Sequence, residues 1–361
     1  MSSPTWLDQP APVREKEELD EAKLAAYLDA QLPGPTASLR IQQFPRGFSN
    51  LTYLVERGND AYVLRRPPFG ANIKSAHDMG REYRILSHLH PVYPKAPRAV
   101  LSCEDDTVLG APFYLMERVE GVILRAAMPA DMHPTPDVMY GIADSLVTTL
   151  AELHQVDYET AGLGELGRPH GYVQRQVEGW IKRYEKAKTD TLPAMEQAAV
   201  WLASNQPTTY QHTLIHNDFK YDNMVLDADD WTKVIAVLDW EMCTLGDPMM
   251  DLGTSLGYWL DPEDPPALQA LRLSPTTLPG NPGRRAIAEK YAEARGANLD
   301  HLVFYYTFGL YKIAVIVQQI YARYKKGYTQ DPRFANLIEG VRACSMLAAR
   351  AIEKNRIDHL F

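Results

Sequence analysis

The sequence predicts an α+β fold of two lobes, in which a small antiparallel sheet lobe precedes a larger helical lobe. Short runs with the alternation typical of strands lie between residues 39 and 118, and one helical stretch interrupts them. Long amphipathic patterns with helical spacing occupy most of the remaining chain. One strand-like interruption, from Met224 to Asp239, lies inside that helical part. A chain of 361 residues is long enough to bury the core of such a two-lobed domain.

The elements follow in order along the chain. Residues 1–34 form a leader and one helix, because polar residues rich in proline and serine precede an amphipathic pattern from Glu15 to Leu32. The sheet lobe covers residues 35–118 and the helical lobe residues 119–361. Predicted strands of the first lobe cover residues 39–44, 51–56, 61–65, 99–103 and 113–118, with a helix at about 75–89. Predicted helices of the second lobe cover residues 138–154, 172–187, 192–204, 285–296, 300–326 and 332–354.

Composition excludes several classes of function. The net charge of −9, from 46 acidic and 37 basic residues, argues against a nucleic-acid partner, whose phosphates demand many cations. The three cysteines are odd in number and far apart, so neither a disulfide framework nor a cysteine zinc site is expected, and a reducing compartment fits. The N-terminus lacks a signal-peptide pattern, and the apolar runs are far shorter than a membrane span. We therefore expect a cytoplasmic protein with no membrane partner, and the sequence leaves its oligomeric state open.

The densest chemical signal lies in residues 214–241. Two apolar runs, 224–227 and 233–238, are joined by a turn sequence, which predicts a hairpin. Antiparallel pairing brings the far ends of two strands to about 5 Å, so Asn223 and Asp239 are expected to meet. An amide oxygen and a carboxylate suit Mg²⁺, which completes its shell with water and phosphate oxygens. Asp218, on the loop before Asn223, faces the same point and can accept the proton of a hydroxyl that attacks a phosphoryl group.

On these motifs the chain resembles the aminoglycoside phosphotransferase family, which are small-molecule kinases with the protein-kinase-like fold. The segment from His216 through Asp218 to Asn223 resembles the family's catalytic loop, and Asp239 resembles the metal-binding aspartate that begins the kinase Asp-Phe-Gly triplet. The stretch of residues 237–253 is similar to the branch that includes the kinase-like domain associated with acyl-CoA dehydrogenases. The resemblance covers about residues 35–345 of the chain.

The resemblance implies a nucleotide-binding N-lobe and a C-lobe that is catalytic and binds the acceptor. It implies ATP and Mg²⁺ as cofactors, Asp218 as the catalytic base, and Asn223 and Asp239 as the metal ligands. Four further residues are expected to support the site. His216 and Asp251 brace the catalytic loop, Glu241 is either an additional metal ligand or a neighbour of one, and Asp247, which precedes a proline, fits a helix N-cap better than a catalytic role.

The N-lobe is expected to hold the nucleotide. Residues 46–53 lie between two strands, where a loop covering the phosphates belongs, and Gly47, Ser49 and Asn50 are its candidate contacts. This loop departs from the glycine-rich pattern of protein kinases, since Gly47 is its one glycine. Read alone, it predicts no more than a turn.

Strand 61–65 ends in two arginines where a kinase places the lysine that touches the α and β phosphates. Alternation along the strand leaves open whether Arg65 or Arg66 takes that position, and arginine differs from lysine in reach and geometry. Glu82, on the following helix, matches the glutamate that pairs with this cation, the alternative being a surface helix pair. Glu117 and Val119 resemble the hinge, whose backbone would bond adenine, although a strand leaving the sheet has the same pattern.

The expected activity is transfer of the ATP γ-phosphoryl group to a hydroxyl of a small molecule, and the sequence leaves GTP open as the donor. The branch resemblance favours a metabolite as the acceptor, such as a hydroxyacyl compound. The alternatives are an aminoglycoside phosphotransferase, and a nucleotide-binding regulator without turnover. For a polycationic acceptor the candidate carboxylates are Asp261, Glu263 and Asp264, in a proline-rich run that also reads as a solvated loop. Six aromatic residues near the expected cleft are assigned mainly to core packing: Tyr258, Trp259, Tyr305, Tyr306, Phe308 and Tyr311.

Overall fold

A computed structural model of the chain describes residues 7–45, 50–69, 78–129, 131–329 and 331–361. Its first lobe contains α1 (Glu21–Gln31), β1 (Leu39–Gln43), β2 (Leu51–Arg57), β3 (Asp60–Arg66), α2 (Met79–Leu89), β4 (Ala99–Cys103), α3 (Asp106–Leu109) and β5 (Phe113–Glu117). The five strands form one sheet in the order β1-β2-β3-β5-β4, and every neighbouring pair is antiparallel. The sheet has two covered faces, because α1 and α2 pack on opposite sides of it.

Alternation along β5 explains the two faces. Phe113 and Leu115 pack into the small core that contains the buried leucines of α1, whereas Tyr114 and Met116 join the larger core that contains α2. All four side chains are buried, so β5 reads as a continuous apolar run rather than as a half-exposed strand. The larger core continues into the second lobe.

The N-terminal helix is shorter than the sequence pattern predicts. It begins at Glu21 instead of Glu15, because Asp20 is its N-cap and accepts the backbone N–H of Lys23 at 3.0 Å. The segment before it is bound to the sheet: the Tyr53 hydroxyl donates to the Glu17 carbonyl at 2.7 Å, and the Gln43 amide donates to the Glu17 carboxylate at 2.6 Å. These tertiary bonds outweigh the local helical pattern.

The second lobe is mainly helical. It contains α4 (Pro136–Leu153), α5 (Tyr172–Ala187), α6 (Pro193–Ser204), β6 (Thr213–Ile215), β7 (Met224–Leu226), β8 (Val234–Val237), β9 (Thr244–Gly246), α7 (Pro248–Tyr258), α8 (Pro266–Gln269), α9 (Arg284–Arg295), α10 (Leu302–Lys325) and α11 (Leu337–Lys354). The small antiparallel sheet lobe and the larger helical lobe confirm the predicted fold class. In the part of the chain that the structure describes, no helix combines the length and apolarity needed to cross a bilayer.

The predicted hairpin is present, and a second strand pair accompanies it. β7 and β8 pair in antiparallel fashion with Met224 opposite Val237. The expectation of one strand-like interruption was wrong, because β6 and β9 also pair, with Thr213 opposite Gly246. Each of these strands has three residues, too few for alternation to be visible in the sequence. Together the two pairs frame the loops on which the candidate site lies.

Helices α7 and α10 approach each other unusually closely beneath those loops. A Cβ atom at Gly253 would overlap the backbone of Tyr305, and one at Gly309 would overlap the backbone of Gly253. Glycine at both positions therefore allows direct backbone contact between the helices. This contact places side chains of both helices, among them Asp251 and Lys312, under the loop after β6.

Candidate active site

The loop that follows β6 is held by one buried carboxylate. Asp251 of α7 accepts the backbone N–H groups of His216 at 2.6 Å and of Asn217 at 2.7 Å. His154 lies 3.1 Å from the same carboxylate. Burial by itself raises the pKa of Asp251, but the bonds from His154 and His216 outweigh it and lower that pKa below its usual value. The carboxylate therefore stays ionised and fixes the loop backbone.

The imidazole ring of His216 has two hydrogen-bond partners among the described residues, and both are backbone groups. Its Nε2 lies 2.9 Å from the Leu238 carbonyl oxygen, and its Nδ1 accepts the N–H of Asp218 at 3.2 Å. Burial lowers the pKa of His216, which favours the neutral imidazole that this pattern of one donor and one acceptor requires. The side chain thus connects the candidate catalytic loop to the end of β8.

Asp218 lies in the cleft with three polar neighbours. Asn223 donates its amide to the Asp218 carboxylate at 3.0 Å and to the Asp218 carbonyl at 2.8 Å. Lys220 forms an ion pair with the same carboxylate, and the Tyr258 phenol is within hydrogen-bonding reach of it. The Asp218 side chain retains 19% exposure, so it is accessible from the cleft.

Lys220 is a site residue that the sequence reasoning missed. Its ammonium is mostly buried, 5.2 Å from the centre of the Tyr258 ring. Burial by itself lowers the pKa of Lys220, but the carboxylates of Asp218 and Asp222 more than compensate and raise it. In the sequence, the one feature that indicates a role for Lys220 is its position two residues after Asp218, within the motif described above. The structure brings a permanent positive charge next to the candidate base.

Asp239 stands at the end of the hairpin opposite Asn223. The Leu238 N–H donates to the Asn223 carbonyl at 2.8 Å, so the two strand ends are bonded as the pairing argument expected. Asp239 has φ of 68°, in the left-handed region that few residues other than glycine adopt. Such backbone strain is common at functional sites. Desolvation opposes ionisation of Asp239, but Arg65, with its Nη2 at 3.1 Å, holds the pKa below its usual value.

The structure answers which arginine of β3 faces the cleft. Arg65 places Nη1 2.5 Å from Glu82, and its Nη2 lies 3.1 Å from Asp239 and 3.7 Å from Glu241. Arg66 points to the other side of the sheet, where it donates to the Leu109 carbonyl at 2.8 Å. Glu82 is buried, so the surface-pair alternative for it is wrong. One guanidinium thus bridges the two lobes across the cleft.

Two further contacts join the lobes beside Arg65. Asn50 donates its amide to the Glu241 carboxylate at 3.0 Å, and Arg81 of α2 donates to the carbonyls of Glu241 at 3.0 Å and of Cys243 at 2.5 Å. Glu241 therefore lies next to the candidate metal ligand Asp239 and is bound by the N-lobe. Gly47 and Ser49, the other candidates of the predicted phosphate loop, lie outside the described residues.

The expected hinge follows β5. Glu117 is the last residue of that strand; its backbone N–H donates to the Arg98 carbonyl at 2.9 Å, and its carboxylate accepts the Arg98 N–H at 2.9 Å. Val119 lies two residues further on, in the connection to the second lobe. The role of these backbone groups toward adenine stays a prediction.

Asp247 is the N-cap of α7, which confirms the capping interpretation. Its carboxylate accepts the Met249 N–H at 2.9 Å, Pro248 is the first helical residue, and the Tyr305 hydroxyl donates to it at 2.8 Å. Burial raises the pKa of Asp247 to about 6. This residue starts the helix that carries Asp251.

The solvated-loop interpretation was wrong for Asp261 and Asp264, whereas Glu263 is exposed as that interpretation expects. Asp261 and Asp264 are buried and both pair with the buried Arg284, at 3.1 and 2.7 Å. Because both carboxylates are buried and already paired with Arg284, they make a poor cluster for a polycationic acceptor. Of the six aromatic residues, the five other than Tyr258 are buried, as the core-packing assignment expected.

The donor set fits a magnesium ion. The Asn223 amide donates its N–H groups to Asp218, which leaves its oxygen for a cation, and the Asp239 carboxylate supplies a second hard oxygen. In the ranges that the structure describes, no group of three or more His, Cys, Asp or Glu side chains could by itself hold a metal ion. A pair of oxygen ligands suits Mg²⁺, which commonly takes its other ligands from water and substrate phosphates.

Comparisons with known proteins agree with this geometry. The model of the phosphotransferase enzyme family matches residues 40–289. Acyl-CoA dehydrogenase family member 11 of Gallus gallus is 33% identical over 97% of this chain and 46% of its own length. The Homo sapiens protein of that name is also 33% identical, over 91% of this chain and 43% of its length. The chain thus spans less than half the length of these two relatives.

One solved structure is described as an aminoglycoside phosphotransferase of Ralstonia eutropha. It superposes on this chain with a TM-score of 0.79 at 28% identity, over 93% of this chain and 99% of its own. An aminoglycoside phosphotransferase in ternary complex with AMP-PNP and hygromycin B shares the fold, with a TM-score of 0.55 at 14% identity, over 89% of this chain and 98% of that one. The family model covers more than half of the sequence, including the candidate catalytic loop and the hairpin. On this evidence the chain belongs to the phosphotransferase enzyme family.

Proposed function

We propose that this protein is a small-molecule kinase that transfers the γ-phosphoryl group of ATP to a hydroxyl of a metabolite. The observation that carries the proposal is the convergence of Asp218, Asn223 and Asp239 on one point of the cleft, opposite Arg65 of the other lobe. Phosphoryl transfer needs little covalent chemistry from the protein, and it depends on positioning and on neutralising charge. This cleft supplies side chains that can position the acceptor and side chains that can neutralise charge.

Each side chain has a distinct role in this proposal. Asp218 orients the acceptor hydroxyl and takes its proton as the oxygen attacks the γ-phosphorus. Lys220, paired with Asp218, stabilises negative charge on the transferred group. Asn223 and Asp239 would hold Mg²⁺, which when bound neutralises charge on the β and γ phosphate oxygens.

The N-lobe is proposed to bind the nucleotide. Arg65, held by Glu82, would donate to the α and β phosphates. Asn50 would lie at the end of the loop that covers these phosphates. The backbone of Glu117 and Val119 would bond the adenine. Structural neighbours in complex with AMP-PNP and with GDP support a purine nucleotide as the donor, of which we propose ATP.

For the acceptor, we favour a hydroxyacyl compound or a similar metabolite. The relatives named as acyl-CoA dehydrogenase family members support this choice. Burial of Asp261 and Asp264, and their pairing with Arg284, weigh against a polycationic antibiotic. The Ralstonia eutropha neighbour keeps an aminoglycoside as the second candidate. A cytoplasmic location suits either acceptor.

The test is ATP consumption with a panel of hydroxylated metabolites that includes hydroxyacyl thioesters, with Asp218→Asn as the inactive control. We expect acceptor-dependent ADP release and a phosphorylated product by mass spectrometry. Expression in a susceptible bacterium, followed by growth under several aminoglycosides, tests the second candidate. Resistance that disappears with Asp218→Asn would replace the metabolite by an antibiotic. Nucleotide binding without any turnover would leave only a regulatory role.

A further inference from the structure

A lysine lies buried in the most apolar stretch of α10. Lys312 has 2% of its surface exposed, and its neighbours along the helix are apolar or aromatic. A buried ammonium is costly unless charges and hydrogen-bond acceptors surround it. The surroundings of Lys312 therefore indicate what this position does.

The ammonium of Lys312 reaches the loop that carries the candidate base. Its Nζ donates to the Asn217 carbonyl oxygen at 2.6 Å. Asn217 has φ of 68°, a left-handed conformation that turns the chain immediately before Asp218. Its N–H bonds to Asp251, and its side chain bonds to Tyr172 and to the Met242 carbonyl. Lys312 thus supplies the bond that fixes the carbonyl of a strained peptide.

Charged groups act on Lys312 from three of the segments around it. The Trp180 ring of α5 has its centre 5.9 Å from Nζ. The titratable groups that act on the ammonium are Asp218 and Lys220 on the catalytic loop, Asp251 on α7 and Arg183 on α5. Burial lowers the pKa of Lys312, and the two carboxylates offset this only in part, so that the pKa lies at about 8. The group is largely protonated at neutral pH and loses its charge in mildly alkaline solution.

We propose that Lys312 is a positioning residue for phosphoryl transfer, whose ammonium holds the Asn217 carbonyl and thereby orients Asp218 toward the acceptor. The expected effect on kcat rests on the proposed function, whereas the expected effect on the order of the loop does not. A hydrogen bond from a charged donor is about twice as strong as a neutral one, so deprotonation loosens the loop. Misplacement of a catalytic group by about 1 Å can reduce the rate about 100-fold.

The kinetic test compares Lys312→Met with Gln318→Met. Gln318 is a matched control, because it is also buried on α10 and also donates to a backbone carbonyl, that of Ala187 at 3.0 Å, but away from the catalytic loop. With Mg-ATP and the best acceptor of the panel, we expect Lys312→Met to lower kcat about 100-fold with an ATP KM within about threefold of the original. Gln318→Met should retain kcat. Equal kcat values for the two variants overturn the proposal.

The pH profile separates positioning from general support of the fold. The kcat of the original protein should fall as pH rises through about 8, where the ammonium is lost. Lys312→Arg keeps its charge to far higher pH and should move this alkaline decline upward. Lys312→Met should show no decline at that pH. An identical alkaline decline in all three proteins would overturn the proposal.

A third measurement needs no turnover. Hydrogen exchange of the backbone amides of residues 213–219 should be about tenfold faster in Lys312→Met than in Gln318→Met, since only the former releases the Asn217 carbonyl. In ¹³C-lysine NMR, the Lys312 titration should move to lower pH in Asp218→Asn, because the Asp218 charge raises this pKa. Unchanged exchange and an unmoved titration overturn the proposal even if no acceptor is found. Absence of turnover alone overturns only the proposed function.

Discussion

The two sides of the cleft are held by different kinds of interaction. On the C-lobe side, Asp251 and Lys312 bind backbone atoms of the catalytic loop, so the loop is fixed from below by buried side chains of α7 and α10. On the N-lobe side, Arg65 bridges Glu82 and Asp239 through side chains only. The backbone N–H groups cannot leave the buried Asp251 carboxylate without distorting the loop. Arg65 Nη2, by contrast, can leave the Asp239 carboxylate and bind a phosphate. We therefore expect a rigid side at the loop that carries Asp218 and an exchangeable side at Arg65.

The largest expected effect separates the base from the metal ligand. Asp218→Asn should leave Mg-ATP binding nearly intact and reduce turnover about 1,000-fold, since it removes the proton acceptor without touching the Asp239 carboxylate. Asp239→Ala should abolish both. Calorimetry with Mg-ATP, combined with the acceptor assay, measures the two properties. Loss of nucleotide by the Asp218 variant together with its retention by the Asp239 variant would reverse the assignment.

The next effect tests the rigidity of the C-lobe side. Asp251→Asn keeps the size of the side chain but removes a charge that accepts two backbone N–H groups. We expect the free energy of unfolding to fall by about 3 kcal/mol, with a parallel loss of turnover. Urea denaturation measures the first quantity. Glu339→Gln, at an exposed position of α11, is the control. If Asp251→Asn lowers the free energy of unfolding no more than this control does, the loop does not depend on Asp251.

The elements that sequence reasoning predicted well are local. The hairpin and the approach of Asn223 to Asp239 depend on residues within about twenty positions, so turn chemistry and pairing rules are sufficient. Lys220 was missed although it lies in the same motif, because the prediction rested on the carboxylates and the amide and not on the cation between them. The charges of Asp261 and Asp264 were misread, because their partner, Arg284, lies at least twenty residues further along the chain, at the start of α9.

Long-range partners account for the rest. Alternation could not choose between Arg65 and Arg66, since both are buried and the choice depends on which face of the sheet carries α2. Lys312 gave no signal, because a single lysine in an apolar helix is ordinarily read as an interruption of the pattern. Only the contact of α7 with α10 through Gly253 and Gly309 brings it under the loop. The roles of all these residues in catalysis stay predictions until they are measured.

A smaller effect tests the exchangeable side. Arg65→Ala should weaken Mg-ATP binding about tenfold, because it removes a charged donor to phosphate and leaves Glu82 buried without its partner. Arg66→Ala should change the dissociation constant less, since Arg66 bonds to Leu109 on the opposite face. Titration calorimetry measures both constants, and thermal unfolding checks that both variants fold. Equal or reversed weakening would move the phosphate contact to Arg66.

The last effect concerns the start of the helix that carries Asp251. Because burial raises the pKa of Asp247 to about 6, the folded protein binds this proton more tightly than the unfolded chain does. The contribution of Asp247 to stability is therefore greatest below the unfolded pKa and falls as pH rises through about 6. Asp247→Asn keeps an N-cap but cannot ionise. Relative to the original protein, this variant should gain on the order of 2 kcal/mol in unfolding free energy between pH 4 and pH 7. Urea denaturation at pH 4, 5.5 and 7 measures the difference, and a gap between the two proteins that stays constant with pH would mean that Asp247 titrates as an ordinary exposed carboxylate.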